Sequence, residues 1–451
     1  MFSISGVNSG LDVNALVDAI VAAERAPVEN RLQRAEQDYT VELSALGQLQ
    51  GAINGFSTAV DNLNQSDTFD TRKTSVTDSS VFTATATSSA AFGSYRIRVD
   101  QLASNHSIAT AAFSDTDTFG TGNLVLDLGS DSMTLALDSN NNTLSGIRDA
   151  INAASDNPGI NATLLNDGGN TRLLLTSEKT GLANTITLDT AGLTLGGGDS
   201  DIGTGTVELN AAQDATVVVG EGAGQLTITH SDNSIEDLIE GVTINLQSVN
   251  ANFQTITIAE DINATKTKIE SFVSAYNSLI SDINALTLYQ EGVDPGALIG
   301  DATVRSIQSQ LRNAIGSTYS AGNISILSDF GITTSETDGT LSIDSATLNT
   351  TITDNYDNLS TFFTGSNAMA GTMAGILDTY DSSTGVIKTR MSSLETRIRD
   401  LEDDKADLDI RIANQRYYWE QQFLAMETLV GQYNSAGQYL SSILTNNNRN
   451  N

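Results

Sequence analysis

Between Val386 and Leu444 the apolar residues of this 451-residue chain recur in alternating steps of four and three. The first run reads Ile387, Met391, Leu394, Ile398, Leu401, Lys405, Leu408, Ile412, Gln415 and Trp419. A second step of four after Trp419 leads to Phe423, Met426, Val430, Tyr433, Gly437, Leu440 and Leu444. Such spacing averages three and a half residues, which holds one stripe of a helix against a partner helix, and the doubled step reads as a stutter that unwinds the supercoil locally. Lys405 and Gln415 interrupt the first run, and polar residues in a seam fix register at a cost in stability. At 1.5 Å per residue the segment forms a rod of roughly 85 Å. No other single feature constrains the fold as much.

The other end of the chain repeats the pattern. Val28, Leu32, Ala35, Tyr39, Glu42, Leu46, Leu49, Ile53, Phe56, Val60 and Leu63 fall in the same steps, with Glu42 as the one charged member. Upstream, Ser9-Gly10-Leu11-Asp12 reads as a helix start, and Val13, Leu16, Val17, Ile20 and Val21 supply an apolar face. Pro27 lacks the N–H that continues a helix, so the spacing predicts a break or kink there. From these stripes the candidate interface residues are Leu32, Leu46, Leu49, Ile53 and Phe56 from the first helix. The second contributes Ile387, Met391, Leu394, Ile398, Leu401, Leu408, Ile412, Trp419, Phe423, Met426 and Leu440.

Charge is distributed unevenly between the rods and the middle. Of the formal net charge of -33, residues 66–385 hold -27, while residues 386–451 carry nine acids against eight bases. From Thr180 to Thr265 there is no Lys or Arg. Nucleic acid and anionic membrane surfaces both require a basic footprint, so neither is an expected partner. There is no cysteine, which excludes disulfides and thiol chemistry and leaves the redox compartment open. No apolar run is long enough to cross a bilayer, and the first residues lack the basic and apolar regions of a signal peptide. Export, if it occurs, is expected to use another route.

After Phe69 the periodicity changes. Alternating runs such as Val81–Thr87 and Tyr95–Val99 predict half-buried strands, as do Leu124–Leu128, Met133–Leu137, Arg172–Leu175, Thr185–Leu188, Thr216–Val219, Leu226–Thr229, Val242–Leu246 and Phe253–Ile258. A helix carrying Leu144, Ile147 and Ile151 interrupts the series. Helical spacing returns at Thr265, with Ile269, Phe272, Val273, Tyr276, Leu279, Ile280, Ile283 and Leu286 on one face, followed by a helix capped at Asp301. The middle segment is expected to fold without the rods, because its strands and helices can cover one another.

Catalytic and metal chemistry find little support in the residue types. His106 and His230 are the two histidines, and they lie in unrelated strand-rich segments. Asp138-Ser-Asn140 opens like a calcium loop, but Thr143 stands where Gly is needed and Asp149 where Glu is needed, so it is read as a turn. Gly196–Gly198 lacks the setting and the Lys of a phosphate loop. Two carboxylates suffice for glycoside hydrolysis, yet the one tryptophan lies in the rod rather than among the strands. No cofactor or metal is expected.

Two regular terminal helices around a variable β-rich middle is the plan of flagellar axial proteins. Ile4-Ser-Gly-Val-Asn-Ser-Gly-Leu-Asp-Val13 with Ala23-Glu-Arg-Ala-Pro27 resembles the opening of the hook-associated protein two family, the flagellar filament cap. Thr143–Leu188, with Ile147-Arg-Asp-Ala-Ile-Asn152, Asn161-Ala-Thr163 and Arg172-Leu-Leu-Leu-Thr-Ser177, is similar to the repeat found in the middle of flagellins and hook-associated proteins. Gly241–Leu246, Phe272–Asn277, Asp338–Asp344, Phe362–Gly365 and Gln422–Glu427 followed by Tyr439-Leu440 resemble later parts of the same family.

That resemblance implies an α+β multidomain protein with long terminal coiled-coil helices enclosing a helical body and β-rich head domains. Residues 1–65 form an amino-terminal helical leg, 66–80 with 262–385 the body, 81–125 with 195–261 a β-rich head domain, 126–194 an inserted β-rich head domain, and 386–451 a carboxy-terminal coiled-coil leg. It further implies a secreted, non-catalytic cap at the filament tip, exported through the flagellar type III system, that promotes flagellin insertion and prevents loss of monomers. Implied partners are further copies in a ring, in that family usually a pentamer, together with flagellin, hook-filament junction proteins and a flagellar export chaperone. A flagellar-tip adhesin or a junction protein is the alternative reading on the same plan, and a secreted polysaccharide hydrolase is a rival of another class.

Overall fold

The computed structural model describes residues 9–447, so Ile4–Asn8 of the opening motif lie outside the described residues. Helix α1 (Val13–Asn64) is followed by strands β1 (Arg72–Val76), β2 (Phe82–Ala86), β3 (Gly93–Gln101), β4 (Asn105–Ala109), β5 (Thr121–Leu128) and β6 (Asp131–Leu137). Helix α2 (Leu144–Ala153) precedes β7 (Ile160–Asp167), β8 (Asn170–Thr180), β9 (Ile186–Thr194), β10 (Val207–Asn210), β11 (Ala215–Val219), β12 (Leu226–His230), β13 (Ser234–Ile239), β14 (Val242–Leu246) and β15 (Gln254–Glu260). Helices α3 (Ile262–Leu286) and α4 (Ala302–Gly316), strands β16 (Ile332–Thr334) and β17 (Leu341–Ile343), and helices α5 (Ser345–Asp354), α6 (Tyr356–Phe363), α7 (Met369–Asp381) and α8 (Val386–Asn447) complete the chain. These elements divide into two compact units, one made of the residues up to Thr68 and from Thr265, the other of Phe69–Ala264.

The β-rich unit holds two separate cores. In the first, the antiparallel sheet β1-β15-β3-β11-β12 covers the three-stranded sheet β13-β14-β2, and strand alternation brings Phe82, Ile97, Val99, Val217, Ile244 and Ile256 together. In the second, the sheet β10-β4-β8-β7 packs with β6-β5-β9 and α2 around Phe119, Leu126, Ile147, Ile151, Leu173 and Leu175. Helix α2 starts where the Thr143 hydroxyl accepts from the Gly146 N–H at 3.2 Å, an ordinary N-cap. Just upstream, the Asp138 carboxylate accepts the Asn140 N–H at 2.7 Å, so the calcium-like sequence is a turn.

Two of the expected boundaries move. The second core is an insertion between β3 and β11, so it takes in β4 and β10 and spans about residues 105–210 rather than 126–194. Strand β1, placed by the sequence reading in the helical body, instead pairs along its length with β15. Strands β1, β4 and β10 are only four or five residues long, and β1 is mostly polar, which leaves too little apolar signal for a strand to be recognised.

In the helical unit α1 runs unbroken for 52 residues with Pro27 inside it, which corrects the expected break. Pro27 is exposed and so is Ala23, whose carbonyl loses the bond that Pro27 cannot donate. Water can satisfy that carbonyl, while buried Val21 and Leu32 hold the helix on either side. The second half of α1 enters a core with α3 and α7. Phe56 lies 5.5 Å from Phe272 and 5.7 Å from Tyr276, centroid to centroid. Asp301 caps α4 by accepting from the Thr303 and Val304 N–H groups at 2.8 and 3.1 Å.

Candidate functional site

The two terminal helices pair antiparallel within the chain. Cross-helix contacts set the alignment: Ser9 with Glu427, Asp18 with Arg416, Arg25 with Asp409, Glu36 with Lys405, and Glu42 with Arg390. Val13, Val17, Val21 and Leu32 of α1 bury Leu408 and Ile412 of α8, with Val28, Leu401, Trp419 and Phe423 at the margin. The stripe drawn from α8 therefore finds its partner in the same molecule. Ile387, Leu394, Leu408 and Ile412 are buried, and Met391, Ile398, Leu401, Trp419, Phe423 and Met426 are half-buried. The indole Nε1 of Trp419 is buried with no hydrogen-bond acceptor among the described residues.

Four of the five α1 positions are fully covered within this chain. Leu46, Leu49, Ile53 and Phe56 are at most 1% exposed, and Phe56 stacks on Phe272 and Tyr276 of α3. All four are buried in the helical unit. Leu32 lies in the two-helix seam with Leu408 and Ile412. At the far end Leu440 is 59% exposed, with Tyr433 at 77% and Leu444 at 66%, so the α8 repeat continues after its described partner ends.

Polar residues in the stripes are matched across the pair. Glu42, the charged member of the α1 repeat, accepts from Arg390 Nε at 3.0 Å, and Arg390 also reaches Asp301. One guanidinium thus ties α1, α8 and the start of α4. Burial alone would raise the Asp301 carboxyl, but the Arg390 bond and the two capping N–H groups outweigh it and hold Asp301 below the usual carboxylate range. Burial pulls Arg390 down, and its bonds to Asp301 and Glu42 lift it above its ordinary value. Lys405 binds Glu36, so its place in the seam is half of an ion pair. Sequence reasoning missed Glu42, Asp301 and Arg390 as a group, because Arg390 precedes a seam position and Asp301 is distant in sequence. The out-of-place charge of Glu42 was the available signal.

His106 and His230 do not meet in a shared site. His106 is buried, accepts the Ile186 N–H at Nδ1 (2.9 Å) and faces Glu208 through Nε2 (3.1 Å), which fastens β9 and β10 to β4. His230 contacts the Asp232 backbone. Among the described residues no group of three His, Cys, Asp or Glu side chains is arranged to hold a metal ion. No described helix is long and apolar enough to cross a membrane.

Comparison with known proteins agrees along the whole chain. Family models described as the flagellar hook-associated protein 2 N-terminus and C-terminus match residues 9–106 and 212–435, and one described as the flagellin hook IN motif matches residues 119–179. The A-type flagellar hook-associated protein 2 of Pseudomonas aeruginosa is 31% identical over 98% of this chain and 97% of its own. The crystal structure of the flagellar cap protein FliD D1-D2-D3 domains from Escherichia coli superposes with a TM-score of 0.63 at 32% identity, covering 78% of this chain and 99% of that one. The flagellar hook-associated protein 2 of Escherichia coli K12 is 33% identical over 99% of both chains, and with it this chain belongs to the flagellar hook-associated protein 2 family, the caps of flagellar filaments.

Proposed function

We propose that the chain caps the distal end of a bacterial flagellar filament outside the cell, where it assembles into a ring of its own copies and promotes insertion of flagellin while preventing its loss. The ring is a pentamer in this reading, and the protein works by contact rather than catalysis. Its further partners are the hook-filament junction proteins during assembly and an export chaperone before secretion through the flagellar type III system. Residues 1–65 and 386–451 act as legs, and the β-rich segments act as heads.

The observation that carries this reading is the unfinished seam. Tyr433, Tyr439, Leu440 and Leu444 expose large apolar area on a helix whose in-chain partner has ended among the described residues. Contiguous apolar surface of this kind marks an interaction site. Leu440→Asp with Leu444→Asp places charge in that stripe without touching either core. In cells whose own copy is deleted, this variant is expected to export normally yet leave flagellin monomers in the medium and no long filaments. Normal filaments with impaired surface attachment would favour the adhesin instead.

A further inference from the structure

Halfway along the paired helices, two exposed faces carry opposite charge. On α1, Arg31 and Arg34 are exposed and line a groove of about 480 Å³ together with Pro27, Asn30, Ala35 and Asp38. The groove lies on the side of α1 turned away from buried Leu32, as helical spacing requires. Arg25, six residues before Arg31, is engaged by Glu29 and Asp409, whereas Arg31 and Arg34 have no ion pair among the described residues. Asp38 is the one acid in the groove.

On α8, Asp400, Asp403, Asp404 and Asp407 are all exposed, and each lies three or four residues from two of the others, which sets them on one broad face. Like charges at that spacing repel one another along a helix. Nearby cations are committed elsewhere: Lys405 binds Glu36, Arg397 lies over the Tyr39 ring, and Arg399 binds groups of its own helix. Exposed Arg411 follows one turn beyond the stripe. The two patches are level, because the Arg25–Asp409 and Glu36–Lys405 contacts bracket Arg31 and Arg34 and run to the same stretch of α8.

We propose that the Arg31–Arg34 groove of one copy receives the Asp400–Asp407 stripe of the next, and that this head-to-tail contact links neighbours around the ring. The inference rests on the reading that the chain assembles as a ring. Two different patches of one surface form a heterologous contact, and repeating such a contact by rotation closes a ring. Copies standing side by side with parallel coiled coils keep level patches level, so the basic face of one meets the acidic face of its neighbour. The occupant is a second copy because both complementary halves lie on this chain at one height. Charge pairing at an exposed contact steers association, fixes orientation and weakens with salt.

The 451-residue chain has no cysteine, which makes the contact directly testable. A tagged Arg34→Cys chain mixed with an untagged Asp403→Cys chain is expected to give the mixed disulfide in preference to either homodimer, and far more than an Arg34→Cys with Thr40→Cys control mixture. Arg31→Glu with Arg34→Glu is expected to weaken assembly by about tenfold in sedimentation at low salt, and adding Asp403→Arg with Asp407→Arg to restore it. A wild-type chain that assembles while the mixed disulfide stays at control level, or while charge reversal has no effect, overturns the contact and leaves the ring standing. A wild-type chain that remains monomeric at every concentration overturns the ring reading and the contact together. Rings that persist in the reversed variant while filaments fail would give this face to flagellin and likewise overturn the proposal.

Discussion

The two halves of α1 both carry an apolar stripe and meet different surroundings. From Val13 to Leu32 the stripe has α8 as its partner, and four buried residues suffice to cover it. From Ala45 to Leu63 seven residues are buried, most of them completely, because α3 and α7 enclose the helix as well. A coiled coil gives a helix one neighbour, and a body core gives it several. Steps of four and three report which side of a helix is apolar and say nothing about how many elements cover it.

The largest effects should separate these halves. Phe56→Ala removes a ring in contact with Phe272 and Tyr276 and is expected to lower the stability of the helical unit by about 3–5 kcal/mol, read from urea unfolding. Leu401→Asp with Leu408→Asp puts carboxylates into the two-helix seam, and separation of the helices lets those charges reach water. That variant should lose helical signal and gain protease cleavage near both termini while the Phe56 core stays folded. If it unfolds the whole helical unit in one transition, the halves are a single cooperative structure and the comparison fails.

A truncation sharpens the same point. The expectation that residues 66–385 fold alone does not survive the placement of Phe56, since Phe272 and Tyr276 would lose the helix that covers them. The fragment 69–261 keeps both β cores complete and should unfold cooperatively. In the longer fragment only the β transition should remain sharp. Two sharp transitions from residues 66–385 would show that the helical body does not need α1.

Where the halves of α1 join, Arg390 holds Glu42 and Asp301. Arg390→Ala leaves two carboxylates without their shared cation and is expected to cost about 2 kcal/mol, less than a fully buried pair would because a third of the Arg390 side chain is exposed. The folded Asp301 carboxyl lies below its unfolded value of about 4, so its contribution is complete above that pH and disappears as pH falls through the folded value. Stability of the helical unit should therefore decline on acidification, and less steeply in Asp301→Asn. An unchanged acid limb in that variant would remove Asp301 from the account.

Much of the architecture was legible because it depends on long periodic segments. The rods, the helix α2 and ten strand positions from Val81 to Ile258 lie where the spacing predicts them. What escaped is mostly short or local, the eight-residue β7 being the longest strand among it. Strand β1 alternates half-buried and exposed positions but fills most of them with polar residues, and β10 is four residues long and exposed at every position, so neither carries an apolar signal long enough to read. Pro27 was read by its missing N–H alone, whereas its exposure on the outer face decides whether the helix survives. The seam was legible as a stripe, but Leu46 to Phe56 look the same in sequence as Leu32 because both are apolar at the same step.

The smallest expected effect concerns the Glu36–Lys405 pair, each about a third exposed. At such exposure an ion pair contributes about 0–1 kcal/mol, so its value to the molecule lies in register more than stability. The polar seam residues limit the strength of the coil, and replacing Glu36 and Lys405 together with Leu should raise the melting temperature by a degree or two, roughly what a fraction of a kcal/mol produces in a unit of this size. Lys405→Leu alone should lower it, because Glu36 is then left against apolar neighbours. If the cap depends on helices that release and rebind as the filament lengthens, the double Leu variant gives shorter filaments despite its higher stability. Filaments of normal length from a more stable coil would show that the pair sets only alignment, and a double variant no more stable than the wild type would show that the seam gains nothing by being apolar there.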